Sequence, residues 1–207
     1  MKKVIPNLKA NIIPKKSSAG FNLGLKFQEF LCSIEYSVIS EEQIDEVENK
    51  VWSIYYQDYK SPFDWDENHY RDVFAFWGNS LILQFDGDVA YKPLKMITVS
   101  GDYQGKFNNL IGIGEAISMF TKEYDFLFDQ DCFYLAPKKE LEYDINESLD
   151  DSEYDKKFDE SIRLNNNGNW EQRKIIEGVA IITDSRLDYS LAVNDHIVES
   201  ISIFMSL

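Results

Sequence analysis

Gly20-Phe21-Asn22-Leu23-Gly24-Leu25-Lys26-Phe27-Gln28-Glu29-Phe30-Leu31 sets the reading of this chain, because its pattern returns as Leu110-Ile111-Gly112-Ile113-Gly114-Glu115-Ala116-Ile117-Ser118-Met119-Phe120. With Gly24 set on Gly114, Leu23-Gly24-Leu25 meets Ile113-Gly114-Glu115, and Phe27 and Phe30 meet Ile117 and Phe120. Phe27, Phe30 and Leu31 fall at i, i+3 and i+4, the spacing of a short helix with one buried stripe. Gly20, Gly24, Gly112 and Gly114 are read as structural glycines that punctuate the chain before each helix.

Working outward, each copy is followed by strand-like runs. After the first come Val51-Trp52-Ser53-Ile54-Tyr55-Tyr56, Val73-Phe74-Ala75-Phe76-Trp77, Ser80-Leu81-Ile82-Leu83-Gln84-Phe85 and Leu94-Lys95-Met96-Ile97-Thr98-Val99. Turn residues separate them, at Gly78-Asn79 and Asp86-Gly87-Asp88. After the second come Phe126-Leu127-Phe128, Cys132-Phe133-Tyr134-Leu135, Gly178–Thr183 and Ile197–Phe204. Ser40 with Gln43 three residues later forms a capping box that opens a turn of helix. The expected fold is α+β and rich in antiparallel sheet: an internal duplication of a short helix plus about four strands, fused into one globule. The repeats span 20–105 and 110–207 of a single globular domain, 20–207, preceded by an extended N-terminal arm over 1–19.

An acidic insertion, 138–172, interrupts the second copy. Between Glu140 and Glu160 it holds ten acidic residues against Lys156 and Lys157. The first copy has a smaller acidic run between Gln57 and Arg71, and the two are expected to project from corresponding places and to form one acidic face. The residues assigned to partner binding are Glu142, Asp144, Glu147, Asp150, Asp151, Glu153, Tyr154, Asp155, Asp159 and Glu160, with Asp64, Trp65, Asp66 and Glu67 from the smaller run. Tyr70 and Trp170 are further aromatic anchors of the kind that bury area at low entropic cost. The alternative for any such run is a solvated face that touches nothing.

Composition limits the function. The 207 residues are 44% hydrophobic, enough to bury a sizeable core. The formal net charge is −15, a field that repels nucleic acid and anionic lipid and speeds encounter with basic proteins. No direct nucleic-acid binding and no membrane association are expected, no apolar run approaches the ~18 residues of a membrane span, and the opening Met1–Asn7 has no signal-peptide core. Two cysteines, Cys32 and Cys132, read as reduced thiols, consistent with a cytoplasmic location. Only two histidines occur, His69 in a polar stretch and His196 in a turn, so histidine-based catalysis is set aside. Gly112-Ile113-Gly114 lacks the third glycine of a dinucleotide loop. Asp144-Ile145-Asn146-Glu147-Ser148-Leu149 resembles the start of a calcium loop but has Leu149 where a glycine is required, and Asp64–His69 reads as a solvated loop. No cofactor, no metal and no enzymatic activity are expected, although a carboxylate-dependent hydrolase and a non-catalytic adaptor or phage-type interaction module remain alternatives.

The stretch Ile12-Ile13-Pro14-Lys15-Lys16-Ser17-Ser18-Ala19-Gly20-Phe21-Asn22-Leu23-Gly24 resembles the opening of small bacterial immunity proteins of polymorphic toxin systems, including contact-dependent growth inhibition. Tyr103-Gln104-Gly105-Lys106-Phe107 with Ile111-Gly112-Ile113-Gly114, and the closing Glu199-Ser200-Ile201-Ser202-Ile203-Phe204, are similar to the middle and end of such proteins. The glycine-then-helix unit is more loosely similar to the repeats of β-lactamase inhibitor proteins and small outer-membrane assembly lipoproteins. Those carry Gly-Met-Thr or Gly-Met-Ser where this chain has Gly24-Leu25-Lys26 and Gly114-Glu115-Ala116. The closer resemblance implies a neutraliser of a cognate toxin domain, a basic protein of the nuclease kind, in a 1:1 complex.

Overall fold

A computed structural model describes residues 4–48, 51–58, 71–87, 90–120, 123–129, 132–137, 176–184 and 196–205. Two two-residue strands, β1 (Ser17–Ser18) and β2 (Phe21–Asn22), form a small hairpin that leads to helix α1 (Phe27–Leu31). Nine further strands form one sheet: β3 (Tyr36–Val38), β4 (Trp52–Asp58), β5 (Arg71–Trp77), β6 (Leu81–Phe85), β7 (Leu94–Ser100), β8 (Tyr124–Asp129), β9 (Cys132–Pro137), β10 (Val179–Thr183) and β11 (Val198–Phe204). Their order is β3-β4-β5-β6-β7-β11-β10-β9-β8, antiparallel throughout except for the parallel β3–β4 pair. Short 3-10 turns lie at Glu41–Glu46 and Ile117–Phe120. The protein is therefore α+β and dominated by antiparallel sheet.

Alternation decides which face is buried. Leu81, Leu83 and Phe85 of β6 are wholly buried while Ile82 and Gln84 are not, the period-2 signature of a strand with one face on a core. Helix α1 lays Phe27 and Phe30 on that face. Phe30 lies 5.0 Å from Trp52 and 5.3 Å from Phe85, and Trp52 lies 5.2 Å from Trp77. Residues 4–19, the described part of the stretch read from sequence as an arm, belong to this core. Ile12, Ser18 and Ala19 are buried, and the Trp52 indole N–H donates to the Val4 carbonyl at 3.1 Å. Without periodicity the segment gave no sign of burial; backbone pairing holds it, with Ile12 N–H donating to Lys106 O and Asn7 N–H to Ala19 O.

The match of Gly24 with Gly114 has a counterpart in backbone hydrogen bonding. Gly24 N–H donates to Leu94 O and Gly114 N–H to Val198 O, both at 2.8 Å. Phe27 N–H donates to Lys92 O as Ile117 N–H does to His196 O. The tight turn closed by Ile13 and Ser17 reappears as the one closed by Phe107 and Ile111. Each unit also has a register shift at the same place, between Gln84 and Phe85 and between Ile182 and Thr183, where the facing strand carries one extra residue, Lys95 or Glu199. Gly24 and Gly114 have φ of +85° and +80°, and a Cβ at either would meet only open space, so the need for glycine there is conformational.

The two units meet where β7 pairs with β11. Thr98 faces Ser202 in that register, and each occupies in its own strand the place the other has in its partner. Their hydroxyls hydrogen-bond at 2.8 Å on the local two-fold axis. That axis turns the second unit upside down. Following the strands, β4, β6, β9 and β11 all finish at one end of the sheet, here called the upper edge.

Candidate functional site

Segments 59–70 and 138–175 join β4 to β5 and β9 to β10, so both leave and rejoin the sheet at its upper edge. They do not correspond within the repeat, which corrects the expectation from sequence. The counterpart of 59–70 is the short β8–β9 connection, and that of 138–175 is the turn at 78–80. Both counterparts lie at the opposite edge, because the two-fold inverts the second unit. The fourteen residues assigned from sequence to partner binding (Glu142, Asp144, Glu147, Asp150, Asp151, Glu153, Tyr154, Asp155, Asp159, Glu160, Asp64, Trp65, Asp66 and Glu67) lie outside the described residues, as do His69, Tyr70, Trp170 and both metal-loop readings.

A second acidic surface lies within them. From Phe27 to Asn49 the chain has seven acidic residues, Glu29, Glu35, Glu41, Glu42, Asp45, Glu46 and Glu48, and no lysine or arginine. Those at 35–48 are all exposed. They flank β3, the last described strand at its end of the sheet, and lie in the crossover that a parallel pair requires before β4 begins. The Ser40–Gln43 pair starts the 3-10 turn as its spacing suggested: Ser40 N–H donates to Gln43 Oε1 at 3.0 Å, and Gln43 N–H to Ser40 O at 3.1 Å.

On β3, Tyr36 faces Trp52 and Val38 faces Ile54 in the register. Trp52 and Ile54 are at most 1% exposed, whereas Tyr36 is 43% and Val38 62% exposed. The apolar face of the sheet thus continues one strand beyond its cover. Ile39 N–H donates to Ile54 O, so by alternation Ser37 also turns its backbone groups to β4. The N–H and C=O of Tyr36 and Val38 point away from β4, to the side where no strand is described. Tyr56, inside this edge, has a phenol pushed above its ordinary pKa by burial and by nearby Tyr36.

At the upper edge the residue bulged from β7, Lys95, reaches Asp72 Oδ2 at 2.8 Å and Asp86 Oδ1 at 3.9 Å. Gly87 N–H and the Gln84 amide also donate to Asp72. Partial burial raises the Asp72 carboxyl, but the hydrogen bonds from Lys95, Gly87 and Gln84 and the lysine charge outweigh it, and its pKa is lowered. His196, expected in a turn, does offer its carbonyl to Ile117, but its ring is fully buried, with Nδ1 3.3 Å from Thr183 Oγ1 and its centroid 5.7 Å from that of Phe133 in an edge-on pair. The polar letters around it, Asn194-Asp195, hid a position whose first-unit counterpart is Lys92.

The sequence reading missed the 35–48 surface because it looked for dense acidic runs. The signal was the absence of any opposing cation over twenty-three consecutive positions. Among the described residues no helix is long and apolar enough to cross a membrane. No protein-family model matches the chain, and neither a curated protein nor a solved structure matches it.

Proposed function

We propose that this protein acts by binding rather than by catalysis: it is an immunity protein of a bacterial toxin system, cytoplasmic, that neutralises a basic toxin domain of the nuclease kind through its acidic margin. The observation that carries the reading is the exposed row of carboxylates at Glu35, Glu41, Glu42, Asp45, Glu46 and Glu48 beside the sheet, in a stretch whose sequence holds no lysine or arginine. The attachment of both acidic segments, 59–70 and 138–175, at one edge adds to it. A nuclease cleft is built to hold phosphates, and carboxylates on a pre-formed scaffold can occupy those positions without reorganisation. Long-range attraction then sets the rate of encounter, which falls with added salt.

This reading expects the neighbouring gene to encode a large toxin, and the experiment is co-expression with the C-terminal domain of that gene's product. Rescue of growth, with a 1:1 complex whose association slows between low and physiological salt, is the expected result. Toxicity unrelieved by this chain, with no complex after mixing the purified proteins, defeats the reading.

A further inference from the structure

We infer that β3 is a pairing edge, which takes an extended, basic strand of the partner as a tenth strand of the sheet. This rests on the binding reading above and names where and how the partner is engaged. Three observations meet at β3. It has β4 on one side and no described strand on the other, and the backbone groups of Tyr36 and Val38 point outward. Its two apolar side chains carry the core face of Trp52 and Ile54 into solvent. Glu35 precedes it, and Glu41, Glu42, Asp45, Glu46 and Glu48 follow it in the crossover, with no lysine or arginine among positions 35–49.

The charge identifies the occupant. A second copy of this chain would bring the same acidic crossover to the margin, and like charge disfavours self-pairing. An acidic or neutral strand gains the backbone ladder alone. A strand alternating Lys or Arg with Val, Ile or Tyr gains the ladder, covers Tyr36 and Val38, and sets its cations among Glu35, Glu41, Glu42 and Asp45. Strand addition of this kind uses main-chain bonds for affinity and alternate side chains for selectivity.

The test uses the full chain with a blocked peptide, Lys-Val-Lys-Val-Lys-Val-Lys, and the same peptide with proline in place of its central valine. Amide exchange and chemical shifts are followed by NMR. The expected result is slowed exchange at Tyr36 and Val38 with the first peptide and binding at least about tenfold weaker for the second, since proline cannot donate to the ladder. Val38→Pro removes one outward donor at a position where an edge strand tolerates it, and Val38→Lys keeps the strand but sets a like charge against the peptide. Each is expected to weaken binding about tenfold with the thermal midpoint nearly unchanged. Binding that is salt-sensitive but equal for both peptides and both variants, with no slowed exchange at Tyr36 and Val38, overturns the pairing edge and leaves the basic-partner reading standing. If neither peptide perturbs any residue at low salt, the acidic margin does not recruit basic chains, and both fall.

Discussion

Tyr103 ties the N-terminal segment to the sheet. Its phenol donates to Ala10 O and meets Ser18 Oγ at 2.9 Å and Ala19 N–H at 3.3 Å, so three polar groups of the N-terminal segment depend on one oxygen. Beside it, a Cβ on Gly105 would lie 1.9 Å from Ala10 O, which keeps that approach open only to glycine. Tyr103→Phe leaves the three groups without their partner and is expected to destabilise the protein by about 1–3 kcal/mol, measured by urea unfolding. Burial raises the phenol pKa more than the hydrogen bonds from Ser18 and Ala19 lower it. A raised pKa means that the folded state holds its proton longer. Its stabilisation is complete below about pH 10 and is lost as pH climbs through the folded value, and Tyr103→Phe should flatten that alkaline slope. Asp72 has the opposite sign. Its carboxyl is lowered on folding, so its contribution is complete above about pH 4 and fades as pH falls toward the folded value. Unfolding free energies of the native protein and Asp72→Asn should therefore differ most near neutrality, by about 1 kcal/mol, and converge as pH falls below about 4. A gap that persists unchanged to low pH removes this assignment.

Among the elements, every long strand was visible as an apolar or alternating run, because β6, β7, β10 and β11 each place one face on the core. Two kinds of element were not. The bulges at Lys95 and Glu199 shift the alternation by one residue, which a periodicity count reads as noise rather than as a matched feature of two units. β3 is three residues long and exposed along its length, so no apolar contrast marks it; what creates it is pairing with β4, a tertiary cause. The short second helix is a 3-10 turn, Ile117–Phe120, in which Ile117 and Phe120 at i and i+3 still point to the core. The β7–β11 junction gives a direct test of the two-fold. Thr98 and Ser202 are partly buried and each is the other's counterpart, so their hydrogen bond belongs to both units at once. A double-mutant cycle with Thr98→Val and Ser202→Ala is expected to show a coupling of about 0.5–1 kcal/mol, with the two single changes costing similar amounts. Additive changes would mean that the hydroxyls bond water instead.

At the scale of the whole molecule, two similar units joined antiparallel make an object like an isologous dimer in one chain. Such an object should have equal edges, and this one does not. The first unit carries its extra chain after β4 and the second carries its longest one after β9, and inversion of the second unit brings both attachments to the upper edge. The counterparts at the other edge are short connections, so strand pairing itself does not require the additions. That argument predicts what shortening does. When 138–175 is replaced by a few glycine and serine residues, β9 and β10 remain joined by a hairpin, as β5 and β6 are joined across 78–80. Phe133, Leu135, Val179 and Ile181 keep their buried neighbours, so the thermal midpoint followed by circular dichroism should move by no more than about 5 °C. The segment removed carries eleven acidic and seven basic residues, whereas 27–49 keeps its seven acidic residues and no base. Association with a basic partner should therefore slow only several-fold and retain most of its salt dependence, while neutralising Glu41, Glu42, Asp45 and Glu46 to their amides should flatten the salt dependence in the full-length chain. The reverse ranking, with salt dependence lost on shortening and kept in the amide variant, would move the contact surface from the β3 margin to the upper edge.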